Sequence, residues 1–142
     1  MFPSGVGWRY QDQDTGEKVL TFQEVKNLAQ EIYDDLEEHE FYNEGPLDDN
    51  GDIIGGDFAT LQDMKIPVMA SGNCLNVSEI VYDKYADIVD YDEEFGTQGN
   101  HCFNVVGDYV IDFTYRQFDP TCEFPLIQKK DDYMKNLMQH LN

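Results

Sequence analysis

The sequence predicts an α+β fold, in which helices pack on an antiparallel β-sheet. Three segments have the apolar spacing of amphipathic helices, and one has the alternation of a β-hairpin. The helical segments come both before and after the hairpin. Segregation of helices and paired strands along a chain is typical of α+β domains. The length of 142 residues fits one domain spanning residues 1–142.

The hairpin is predicted within Gly99 to Pro120, GNHCFNVVGDYVIDFTYRQFDP. Strands from His101 to Val106 and from Tyr109 to Thr114, joined by a two-residue Gly107-Asp108 turn, place residues whose numbers add to 215 opposite each other. Side chains alternate between the two faces of a strand. This register puts His101 and Asp112 on one face as diagonal neighbours, within reach of a side-chain hydrogen bond.

Three helices are expected around the hairpin. Thr21-Phe22-Gln23-Glu24 matches a capping box and opens a helix that ends near His39. Leu75 to Val89 carries a broad apolar stripe, with Cys74 at or near its N-terminus. Asp131 to Leu141 forms a closing helix with Met134, Leu137, Met138 and Leu141 on one face.

The remaining segments are predicted as connections. Met1 to Lys18 would be anchored on the domain by Trp8 and Tyr10, and Glu40 to Asp57 has the glycines and acids of a long surface loop. We expect Asp90 to Gly99 to be a further acidic connection. The segment after Asp119, with two prolines, is predicted to be irregular up to the last helix.

Composition limits the classes of partner. There are 29 acidic and 9 basic residues, for a formal net charge of −20. This charge repels nucleic acid and anionic membranes, so we expect neither as a direct partner. It is compatible with a high-salt host, with a protein partner that has a basic surface, or with mimicry of nucleic-acid charge by an inhibitor. The oligomeric state is left open.

The cysteine count favours a reducing compartment. Three cysteines, an odd number, occur without a signal peptide or an apolar run of transmembrane length. We therefore predict a cytoplasmic protein, located in a host cytoplasm if the chain is viral or an effector. Cys102 and Cys122 would still be able to pair under oxidation.

Cys74, His101 and Asp112 together have the residue types of a thiol hydrolase. A helix N-terminus favours the thiolate of Cys74, which is the nucleophilic form. In this interpretation His101 takes the thiol proton and later protonates the leaving group, and Asp112 orients the imidazole. The structural alternative is that the cysteine and the histidine are ordinary core residues.

These residues lie in motifs that resemble the papain-like and transglutaminase-like superfamily of cysteine hydrolases, especially its small bacterial and viral members, including toxin-type glutamine deamidases. The resemblance spans Ser71 to Phe118. It rests on Gly72-Asn73-Cys74 at a helix start, on NHCFNVV from Asn100, and on YVIDFT from Tyr109 followed by Gln117-Phe118.

The resemblance implies a papain-like fold and a catalytic Cys74, His101 and Asp112. Two positions depart from papain itself, because Val68 and Leu75 stand where it has a glutamine and an aromatic residue. The oxyanion donors therefore stay open between the Cys74 backbone amide and the side chain of Asn73 or Gln62.

The role of Gln117, just after the hairpin, has two interpretations. Its side chain either supports the predicted catalytic residues or closes a turn.

Such a site hydrolyses a peptide bond, deamidates glutamine, cross-links glutamine to an amine or transfers an acyl group. The short chain favours a protein-glutamine deamidase or a thiol protease of narrow specificity. The alternative function is a non-catalytic acidic binding or inhibitor protein, for example a viral one, that blocks a basic surface.

Metal sites are weaker interpretations. Asp48, Asp49, Asn50 and Asp52 suggest calcium, but the spacing places Pro46 or Leu61 where an EF-hand needs an acid. Zinc would draw on Cys74, His101, Cys102, Cys122 and His140. However, His101 and Cys102 point to opposite faces of a strand, and there is no C-x-x-C. We expect no metal and no cofactor, and we expect His39 and His140 to be surface groups.

Overall fold

A computed structural model describes residues 20–43, 45 and 48–142, so the predicted anchors Trp8 and Tyr10 and the Pro46 position lie outside the described residues. Four helices and two antiparallel sheets make up this part of the chain. The predicted α+β class is confirmed. No helix of the described residues is long and apolar enough to cross a membrane.

The first helix follows its sequence signals closely. Helix α1 spans Phe22–Leu36, and the Thr21 hydroxyl accepts a hydrogen bond from the Glu24 amide while the Glu24 carboxylate accepts one from the Thr21 amide. This capping box satisfies amides that lack a partner in the first turn. The helix ends three residues before His39, and its predicted apolar positions are all buried: Val25, Leu28, Ala29, Ile32 and Leu36.

A small two-stranded sheet occupies the ends of the predicted long loop. Strand β1, Phe41–Asn43, pairs antiparallel with β2, Asp57–Ala59. The prediction of a continuous loop from Glu40 to Asp57 is wrong at these ends. The two strands have three residues each, too few for an alternating pattern to be recognised in the sequence.

Two helices follow before the larger sheet. Helix α2, Pro67–Ala70, is a single turn with proline in its first turn. Helix α3, Cys74–Lys84, begins at the cysteine and ends five residues earlier than predicted.

The larger sheet is an antiparallel meander of four strands: β3 Asp90–Gly96, β4 Gly99–Val106, β5 Tyr109–Asp112 and β6 Leu126–Lys129. Strands β4 and β5 form the predicted hairpin, with Val105 opposite Val110 and Val106 opposite Tyr109. Gly107 has a φ of 59°, as its two-residue turn requires. The predicted register is confirmed.

Two predicted connections are strands instead. The segment Asp90 to Gly99 contains β3, which pairs with β4 along its whole length, and the segment before the last helix contains β6, which pairs with β5. Four acids in β3 remove the apolar alternation that predicts a strand. In both cases the partner strand, rather than the local pattern, determines the conformation.

Helices cover both faces of this sheet. Helix α4, Lys130–Leu141, packs on the face that carries Phe103 and Val110, and α1 and α3 pack on the face that carries Val106 and Ile111. The face predicted for His101, Phe103, Val110 and Asp112 therefore lies beneath α4. The closing helix is confirmed, with Tyr133, Leu137 and Leu141 buried.

Candidate active site

His101 and Asp112 form a buried ion pair. The His101 Nε2 lies 2.8 Å from the Asp112 Oδ2, and both side chains are almost completely buried, at 0% and 1% exposed. The hairpin register that the sequence predicts brings the two residues together. Because a carboxylate only accepts hydrogen bonds, this contact places a proton on Nε2 and leaves Nδ1 for another partner.

The Asp112 carboxylate accepts hydrogen bonds from three residues. Its Oδ1 receives the Thr114 amide at 2.8 Å and the Thr114 hydroxyl at 3.2 Å, and its Oδ2 also receives the Tyr133 hydroxyl at 2.6 Å. Burial alone raises the pKa of Asp112, but His101, Tyr133 and Thr114 lower it below the ordinary value. Asp112 therefore keeps its charge in the protein interior.

Tyr133 is a site residue that sequence reasoning missed. It lies on α4, a helix predicted only as a cover for the core, and it is completely buried. The available signal was its position four residues before Leu137, which places both on one helical face. A tyrosine buried on such a face needs a partner for its hydroxyl, and here that partner is Asp112.

Cys74 is the first residue of α3, which packs against β4, the strand that carries His101. Burial raises the pKa of Cys74, but the hydrogen bond and charge of His101 and the backbone amide of Cys102 lower it below its ordinary value. Burial also opposes a charge on His101, yet Asp112 and Cys74 raise its pKa to about 9. Both shifts are in the direction that favours a thiolate beside an imidazolium.

In the other two cysteines, Cys102 and Cys122, the pKa of the thiol is raised instead of lowered. Burial and the nearby Cys74 raise the pKa of Cys102 to about 12. Burial and Asp119 raise the pKa of Cys122 to about 11, against the opposing effect of Arg116. All three cysteines are free. Cys74 is therefore the one thiol among them whose surroundings favour the nucleophilic form.

Aromatic rings surround the imidazole. The centroid of the His101 ring lies 4.9 Å from that of Phe118, 6.4 Å from that of Phe103 and 6.5 Å from that of Tyr115. These rings keep water away from the ion pair, and a charge interaction is stronger in such a medium than in water. His140 is exposed as predicted, and its ring stacks on Phe118.

The predicted supporting residues, Gln117 and Asn73, lie close to His101 and to Cys74 respectively, and they form different hydrogen bonds. The Gln117 amide nitrogen donates to the Thr114 carbonyl at 3.1 Å and lies 3.5 Å from the His101 Nδ1. Gln117 therefore closes a turn and also contacts the imidazole.

Asn73 directs its amide nitrogen back towards the preceding loop. It donates to the carbonyls of Met69 and Ser71, at 3.2 and 3.4 Å, while its own side-chain oxygen is buried without a partner among the described residues. Gln62 is exposed.

The backbone amide of Cys74 lies in the first turn of α3, where amides lack an intrahelical acceptor. This leaves it as the simplest oxyanion donor.

The described residues contain no group of three or more His, Cys, Asp or Glu side chains arranged to hold a metal ion. In the acidic loop, the Asp48 carboxylate accepts the backbone amides of Asn50 and Asp52, both at 2.9 Å. The Asp48 side chain thus stabilises a local turn.

Comparison of the chain with protein-family models, with curated proteins and with solved structures gave no match. The papain-like and transglutaminase-like resemblance therefore rests on the sequence motifs described above and stays a prediction.

Proposed function

We propose that this chain is a cysteine-dependent amide hydrolase or acyltransferase that acts on a protein substrate, with a papain-like or transglutaminase-like fold. The observation that carries the proposal is the buried His101–Asp112 ion pair, together with the position of Cys74 at the start of α3, where His101 and Cys74 influence each other's pKa. Each residue has the partner that its role needs. The free thiols agree with the reducing cytoplasmic location that the sequence predicts.

The first half of the reaction uses the ion pair. The Cys74 thiolate attacks the carbonyl carbon of an amide, and the oxygen of the tetrahedral intermediate receives a hydrogen bond from the Cys74 backbone amide. The C–N bond breaks as the imidazolium of His101 gives its proton to the leaving nitrogen. The products are a thioester on Cys74 and free ammonia or an amine.

The second half returns the enzyme to its starting state. Neutral His101 takes a proton from water, which attacks the thioester and releases a carboxylic acid, and Cys74 leaves as the thiolate. If an amine attacks instead of water, the product is a new amide. Asp112 remains ionised and stabilises the imidazolium in both halves. Glutamine deamidation, peptide hydrolysis and cross-linking therefore differ in the substrate bond and in the acceptor.

Thiol alkylation tests the site directly. Iodoacetamide is expected to label Cys74 rapidly at neutral pH, and Cys102 and Cys122 slowly, because their pKa values are raised to about 12 and about 11. His101→Ala should slow labelling of Cys74, whereas His39→Ala, at an exposed histidine, should leave it unchanged. Equal and slow labelling of all three cysteines would contradict the proposal.

Intact-mass measurement of a candidate protein substrate identifies the reaction. Deamidation replaces NH₂ with OH and leaves the chain whole, proteolysis gives two fragments, and cross-linking joins two chains. Cys74→Ala should abolish whichever change is seen.

The second candidate, a non-catalytic protein that blocks a basic surface, is favoured by the net charge of −20. If the protein only blocks a basic surface, Cys74→Ala should inhibit the partner as fully as the unsubstituted protein does. The enzyme proposal does not require this result.

A further inference from the structure

Strand β3 forms one edge of the four-stranded sheet. It pairs with β4 on one side, and no other strand among the described residues pairs with its other side. An edge strand presents backbone N–H and C=O groups that a second extended chain can bind. The Glu93 amide is bonded to the adjacent Asp92 carboxylate at 2.8 Å, and the Asp92 side chain is exposed.

This edge lies next to the candidate active site. Glu93 pairs with Cys102, and Glu94 pairs with His101. The Glu93 carboxylate accepts a hydrogen bond from the Asn100 side-chain amide, and its charge, like that of Cys74, raises the pKa of the Cys102 thiol. A chain bound along β3 would therefore be separated from the strand of His101 by β3 alone, a distance of about 10 Å, or two inter-strand spacings.

The side chains of β3 are suited to a basic segment. Four of its seven residues are acidic, namely Asp90, Asp92, Glu93 and Glu94, and none of them forms an ion pair with another described residue. Phe95 is 68% exposed and Tyr91 is 37% exposed. Exposed aromatic rings bind the ammonium and guanidinium groups of lysine and arginine, and carboxylates pair with the same groups.

The end of β3 is held in place by α4. The Gln98 amide donates to the Leu141 carbonyl at 2.7 Å, and a side chain at Gly96 would collide with Leu141. The edge is thus fixed relative to the rest of the sheet before any partner binds, which lowers the entropy cost of docking.

We propose that β3 is the substrate-docking strand, and that it binds an extended lysine- or arginine-rich segment of a protein by strand pairing. The proposal rests on the proposed function for the role of the bound segment as substrate. Acidic residues also protect edge strands from aggregation. Protection from aggregation needs only the charges of β3, whereas substrate docking also needs hydrogen bonds between the backbones of β3 and the bound segment.

Binding is measured with Cys74→Ala, so that no reaction occurs and failure of catalysis cannot be confused with failure of docking. The probe is a fluorescent peptide of about eight residues that alternates lysine with valine, close to the length of an ordinary strand. Two further peptides serve as controls: one has glutamate in place of lysine, and one keeps the lysines but is N-methylated at alternate residues. We expect saturable binding of the first peptide only.

Matched variants locate the site. Asp92→Asn/Glu94→Gln removes two charges from β3, and Glu38→Gln/Glu40→Gln removes two exposed charges after α1. The β3 variant should weaken binding about threefold or more, and the other variant much less, because exposed charge pairs contribute about 0.2–1 kcal/mol each. Equal binding of the N-methylated peptide, or equal weakening by both variants, would overturn the proposal.

Discussion

Asp112→Asn is the most informative change, because it removes the charge that holds the imidazolium while keeping the shape of the side chain. The asparagine oxygen can still accept the Thr114 amide and hydroxyl. Its amide nitrogen, however, now donates towards Nε2 of His101, and this favours the neutral imidazole. The expected result is that the pKa of His101 falls from about 9 towards or below its ordinary 6.5.

The size of the effect follows from this difference in pKa. A change from about 9 to 6.5 corresponds to about 3 kcal/mol of interaction between the imidazolium and its surroundings. The hydrogen bond and charge of His101 lower the pKa of Cys74 more than the charge of Asp112 raises it, so loss of the imidazolium should raise the pKa of Cys74. At neutral pH we expect iodoacetamide to label Cys74 at least about tenfold more slowly in this variant.

The pH profile separates this account from a loss of structure. The labelling rate of Cys74 should rise at a lower pH in the unsubstituted protein than in Asp112→Asn, because the imidazolium of His101 lowers the pKa of Cys74. Asp108→Asn, in the exposed turn of the same hairpin, is the matched control and should not change the profile. Identical profiles for Asp112→Asn and the unsubstituted protein would refute the reasoning.

Two further predictions concern stability. Tyr133→Phe removes the hydroxyl that donates to Asp112 at 2.6 Å and should lower the free energy of unfolding in urea by about 1–3 kcal/mol, whereas Tyr42→Phe, at an exposed tyrosine, should change it little. Equal losses would contradict the role of the buried bond. In Cys74→Ala, which removes the titrating thiol, the raised pKa of His101 stabilises the fold at low pH. Cys74 is one cause of that raised pKa, but Asp112 contributes more and remains in this variant, so the free energy of unfolding should still fall as the pH rises above about 6.5. A constant value above that pH would contradict the ion pair.

The hairpin could be predicted because its determinants are local. A two-residue Gly107-Asp108 turn sets the register, and the period of two then decides which side chains share a face. The capping box at Thr21 is equally local. For the same reason Cys74 could be placed at a helix start, since that assignment needs only the residues around it.

Strand β3 could not be predicted from its residues. Its acids resemble a connection, and it is a strand because β4 folds back along it after a short turn. Strand β6 is similar, because its conformation depends on pairing with β5 across a segment of thirteen residues that contains no strand. Pairing of this kind is a property of two segments and is weakly encoded in either one.

The sequence by itself determined the hairpin that brings His101 and Asp112 together and the helix start that carries Cys74. Only the tertiary structure decided that the helix carrying Cys74 packs against the strand carrying His101, because α3 and β4 meet by packing of side chains distant in sequence. It also decided that Tyr133, from a helix at the other end of the chain, completes the hydrogen bonds of Asp112. A buried carboxylate needs several donors to stay charged, and the hairpin alone cannot supply them all.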